Sequence, residues 1–211
     1  MPLPMVHLGT ARVYAKDYSE LLHCPEYYLG CISPDAIHVR GNIDKKDKRI
    51  THLHAEGPEW ENNVINFLKQ NRNKKNYNFL LGYGIHILTD IIWWETVYIK
   101  FKQEYIKDQN PVQDLKSAYY NDTDQLDFEL YKNSEWRESI WSLLKKSESF
   151  FVEGLLEESE ITAWKSHTLK YFDTKVSRHK NPIRYFTIEE LEVFMKDAAD
   201  RIKKILEKEG F

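Results

Sequence analysis

The chain is predicted to be all-α, a multi-helix bundle, and three observations carry that expectation. Apolar and aromatic residues recur at helical spacing through most of the long segments. Thr187 with Glu190 forms a capping box that opens a long apolar stripe near the carboxyl end. No convincing run of strands appears, and no internal repeat or low-complexity tract.

The elements follow in order. After two early prolines, residues 6–18 read as a helix whose Val6, Leu8, Ala11, Val13 and Tyr14 form a broad apolar stripe, with His7 among them. Pro25 suits a helix start, and Tyr27, Tyr28, Leu29 and Ile32 would pack behind it. Pro34 disfavours helix at Ser33, so the backbone is expected to break there and deliver Asp35 from a turn into the interior. Residues 39–48 are polar, contain Gly41 and Asn42, and read as a surface loop. Residues 59–71 form an amphipathic helix through Trp60, Val64, Phe67 and Leu68.

Asn76 opens a long helix that turns charged beyond Tyr98 and ends before Pro111. Past Pro111, residues 114–120, 123–131, 135–146 and 160–172 read as helices with aromatic stripes, the usual mark of packing surface. The last helix runs from Thr187 to about Lys208 with Leu191, Phe194, Met195, Ala198, Ile202 and Ile205 on one face. Residues 1–211 are expected to form one domain, with 1–108 as its core and 109–211 as further helices packing on it.

Composition narrows the function classes. A 42% hydrophobic, 14% aromatic chain of 211 residues is globular and long enough for one substantial core. A net charge of −3 leaves no electrostatic footprint for duplex nucleic acid. The basic runs at 45–49 and 71–75 are short and read as solvated loops or helix ends. Cys24 and Cys31 alone make no disulfide framework. The amino end has no signal-peptide core, and the central apolar run is shorter than the roughly 20 residues of a bilayer span. A cytoplasmic protein is expected.

The central helix carries the chemistry. Residues 79–94 are apolar nearly all round, yet His86 and Asp90 sit among them on one stripe, one turn apart. Leaving either unpartnered there costs on the order of 2–7 kcal/mol, so they satisfy each other or converge on a metal. Gly82, another turn back, clears space for a second backbone or an ion. His52 and His54 share a face only in a strand, which leaves one as a donor and the other outside. His7, Asp35, His52, His86 and Asp90 are therefore the candidate metal ligands. Asp124 and Asp127 are weaker sources of carboxylate oxygen, better explained as helix-start residues. Imidazole and carboxylate together suit zinc or another first-row divalent ion such as iron, manganese or nickel, one or two in number.

Four pieces in sequence order, MVHLGTA, LGCISPDAIH, ITHLH and FLLGYGIHILTDI, resemble the bacterial zinc-dependent phospholipase C family, which is related to the S1/P1 nucleases. The resemblance covers residues 1–94. It implies an all-helical fold of the phospholipase C/P1 nuclease type whose zinc ions activate water for attack on a small-molecule or lipid phosphodiester. Carried over, Asp35, His52, His86 and Asp90 would bind one ion, and His7 with Asp90 a second. Asp35 and Asp90 are the candidate catalytic carboxylates, and His38, close in sequence, reads either as a supporting partner of Asp35 or as a proton shuttle. Trp93, Trp94 and Glu95, one turn past Asp90, are candidates to line the substrate mouth, although buried packing is the commoner fate of a Trp pair.

The chain departs from that pattern in three places. The family's amino-terminal Trp ligand is replaced by Met. The His-x-x-x-Glu pair of a third zinc is missing, because His167 and His179 have no glutamate four residues on. The family's enzymes are also typically secreted. The alternative reading is a non-catalytic metal-binding or structural protein that keeps the fold. An HD-type phosphohydrolase lacks its His-Asp dyad here, and a ferritin-like di-iron site has only Glu20-x-x-His23 to draw on.

Overall fold

In the computed structural model, which describes residues 3–211, the apolar run becomes α6 (Tyr77–Trp93), buried at every position from Phe79 to Trp93. A helix with no wet face must be wrapped by others. It is contacted by α1 (Pro4–Ala15), α3 (Pro25–Gly30), α5 (Glu59–Asn71), α11 (Ile188–Lys208) and a 3-10 helix (Ser33–Arg40). Around these lie α2 (Ser19–Leu22), α4 (Lys45–Thr51), α8 (Leu115–Asn133), α9 (Arg137–Lys146) and α10 (Glu158–Thr174). A single π turn, Trp94–Tyr98, links α6 to α7 (Ile99–Lys107). Among the described residues there are eleven α-helices and no strand, so the fold is all-α. None of these helices is long and apolar enough to cross a membrane.

Two glycines set the closest approach. Gly30 lies against the Phe79 carbonyl and Tyr83 nitrogen, and Gly82 against the Tyr27 carbonyl and Cys31 nitrogen. A Cβ at either would strike the other helix's backbone, so α3 and α6 pack at glycine distance. Of the two options left open for Gly82, the space admits a backbone, not an ion.

Three boundaries differ from expectation. The first helix stops at Ala15, short of Tyr18. The expected loop at 39–48 becomes α4 from Lys45, because Asp44 and Asp47 cap each other's backbone amides reciprocally. Residues 114–131 form one helix, α8, not two. Asn121 and Asp122, which lie between the two expected helices, are buried. Asp122 Oδ2 accepts from the Arg184 and Tyr185 amides at 2.9 and 2.7 Å, which ties the strap before α11 to α8.

Candidate metal centre

Four separate segments deliver the five expected donors to one place. His7 comes from near the start of α1, and Asp35 from the first turn of the 3-10 helix, beside Pro34. His52 caps the end of α4, where Leu53 turns away with a left-handed φ of 50°. His86 and Asp90 come from α6. Asp90 lies at the focus: His7 Nε2 is 3.5 Å from its Oδ1, and the Nε2 atoms of His52 and His86 are each 3.6 Å from its Oδ2. Asp35 faces the same imidazoles, 3.4 Å from His52 and 4.0 Å from His86. The donors fall into two overlapping groups that can hold metal ions, His7–His86–Asp90 and Asp35–His52–His86.

Two of the imidazoles are aimed. His86 Nδ1 is 2.8 Å from the Cys31 carbonyl, and His52 Nδ1 is 2.9 Å from the Lys48 carbonyl. Those carbonyls accept an N–H and leave each Nε2 as a lone pair pointing at the carboxylates, the usual outer support of a metal-binding histidine. Tyr83 O–H donates to the Thr51 carbonyl at 2.5 Å, and Trp60 Nε1 to the His52 carbonyl at 2.8 Å, fixing the end of α4 against its neighbours. His7 lies flat on His86, ring centroids 3.7 Å apart.

The donor atoms test whether metal fits. The Nε2 atoms of His7, His52 and His86 and both oxygens of Asp90 are buried with no hydrogen-bond partner. Separations of 3.4–4.0 Å are too long for good hydrogen bonds but close to what an ion requires. Ligand bonds of about 2.0–2.1 Å in a tetrahedron put donors about 3.3 Å apart. A His–Asp hydrogen bond therefore does not account for the cluster, and the donor set fits zinc.

Electrostatics agree. Burial, then the neighbouring His86, holds the His7 imidazole well below its ordinary value, and burial takes His86 down to about 3. Both rings are neutral at pH 7, the form that binds metal. Burial raises the Asp90 carboxyl to about 7. Burial also pushes Asp35 up, but Lys48 and the imidazoles outweigh it and hold that carboxyl well below the usual range.

The surroundings hold one residue the sequence reading missed. Lys48, placed there in a solvated basic run, sits on α4 with Nζ 3.1 Å from Asp35 Oδ1. No helical spacing pointed to it, because residues 39–48 read as a loop; only α4 sets Lys48 one turn before His52. His38, expected near Asp35, has its Nε2 3.7 Å from Oδ1.

Other candidates resolve otherwise. His54 packs its ring against Trp60 away from the donors. Trp93 is buried and donates to the Tyr119 hydroxyl, so it does not line a mouth; Trp94 and Glu95 border a cavity of about 690 Å³ with Trp60 and Tyr98, and none of the five donors lines it. Asp124 accepts from Tyr171 and Ser177, and Asp127 accepts from the Met5 amide, capping the start of α1. The amino-terminal residue, where the family carries a further ligand, lies outside the described residues.

A helical bundle with a buried histidine–carboxylate cluster fit for divalent ions is the class this fold and geometry define. The chain belongs to the zinc dependent phospholipase C family, whose model matches residues 6–204 of its 211. That match extends the likeness through the second half of the chain, and the family is zinc-dependent. No curated protein and no solved structure matched the chain.

Proposed function

We propose that the protein is a metal-dependent hydrolase of a phosphodiester, carried by a small molecule or a lipid. Asp35, His52, His86 and Asp90 would hold one ion, and His7 with Asp90 a second. The observation that carries this reading is the convergence of five donors from four segments with their metal-facing atoms unpartnered. Zinc, when bound, supplies Lewis acidity toward a water and toward the phosphoryl oxygens.

The chain's own groups do the rest. Asp35 is the donor open to solvent, 15% exposed where the other four are at most 2%. Its Oδ1 takes the proton lost by the attacking water. Because Lys48 favours the ionised form, the proton does not stay there, and His38, 40% exposed, relays it to solvent. Asp90 keeps His7, His52 and His86 gathered about its two oxygens. Residues 1–211 act as one domain, in which α11 from the second half packs on α1 and α6 of the first.

Phosphomonoesters and phosphodiesters assayed with added zinc, manganese, iron or nickel test the proposal. Metal-dependent turnover of a diester, abolished by chelation and in Asp90→Ala, is the expected result. Bound metal without turnover of any phosphoester would leave a structural ion, a second reading favoured by the near-complete burial of four donors.

A further inference from the structure

We propose that Lys48 forms an anion subsite at the outer edge of the donor cluster, its ammonium binding a phosphoryl oxygen; as a statement about substrate it rests on the hydrolase reading above. Lys48 stands outside the donors. Its side chain is 31% exposed, against 15% for Asp35 and 2% or less for His7, His52, His86 and Asp90. A ligand approaching the donors past Asp35 meets the ammonium, with the more exposed His38 beside it.

The ammonium has a free donor. It carries three N–H groups. One faces Asp35 Oδ1 at 3.1 Å and His38 Nε2 lies 3.3 Å from Nζ; even with both engaged, one N–H remains for an incoming oxygen. Its position is tied to the donors, because the Lys48 carbonyl also receives His52 Nδ1. Two neighbouring cations are engaged elsewhere: Arg49 pairs with Glu56 and Arg40 with Glu160. A partly buried ammonium held beside the donors suits a compact oxyanion such as a phosphoryl group better than an extended acidic surface.

The competing role is neutralisation of Asp35 alone, and the two roles predict different measurements. Inorganic phosphate is titrated by calorimetry into the zinc-loaded protein and into Lys48→Met and Lys48→Arg, with thermal melts and zinc content recorded alongside. The subsite predicts phosphate binding at least about tenfold weaker in Lys48→Met, about one unit of charge-assisted hydrogen bonding. Lys48→Arg should recover most of it, and zinc content should stay unchanged. Phosphate binding equal in Lys48→Met and the parent, or absent from the parent at millimolar phosphate, overturns the inference. Phosphate held by Lys48 with no phosphoester turned over would instead retain the subsite and remove the hydrolase reading.

Discussion

The two halves of the chain both bury acids, and they treat them in opposite ways. In the second half, Asp122 takes the Arg184 and Tyr185 amides and the Asn121 side chain, and Asp127 takes the Met5 amide. In the first half, Asp90 is buried with both oxygens unpartnered and three imidazole nitrogens turned toward it. An orphaned buried polar group costs stability, and five together at one point mark a place made for something else. Buried acids with partners tie helices together; buried acids without them mark the site.

The sharpest way to break this comparison is to substitute on each side. His86→Ala is expected to lose metal and any phosphoesterase activity to background, while circular dichroism still reports a helical protein. Gly82→Ala comes next. Its Cβ meets the Tyr27 carbonyl, and forcing α3 from α6 is expected to cost 1–3 kcal/mol or more in denaturant unfolding. It should also loosen zinc, since Cys31 orients His86. Asp127→Ala should cost about 1–3 kcal/mol by orphaning the Met5 amide and leave metal content intact.

The effect of pH separates the halves more gently. With the Asp90 carboxyl raised to about 7, zinc must displace a proton below that pH. Zinc affinity is expected to fall about tenfold per pH unit below about 7 and to level off above it. His86, at about 3, is already neutral and adds nothing to that slope. Calorimetry at pH 6 and pH 8 in buffers of different ionisation heat would measure the proton released. A flat affinity across that range would mean that zinc displaces no proton from Asp90. The smallest effect is Thr187→Ala, which removes the cap on α11 and is expected to cost about 1 kcal/mol while leaving zinc untouched.

Much of this was legible in the residues. His86 and Asp90 stand out because charge within an apolar helix needs a reason, and Pro34 foretold the irregular segment that presents Asp35. Capping signals hold at Thr187 and were overlooked at Asp44, where the aspartate pair sits inside a basic run. Lys48 and the single helix α8 were not legible for one reason. Their polar side chains are satisfied by partners distant along the chain, Asp35 for the lysine and the 184–185 amides for Asp122. Periodicity within a window carries no trace of such pairs. His52 over His54 was likewise decided by the left-handed turn at Leu53.

The central claim is that nitrogen and oxygen donors of the first half hold zinc, and zinc X-ray absorption on the purified protein, with elemental analysis, tests it most directly. The account predicts one or two equivalents per chain in a shell of nitrogen and oxygen at about 2.0–2.1 Å with imidazole scattering. A sulfur shell at about 2.3 Å, or no bound metal after zinc loading, would contradict it.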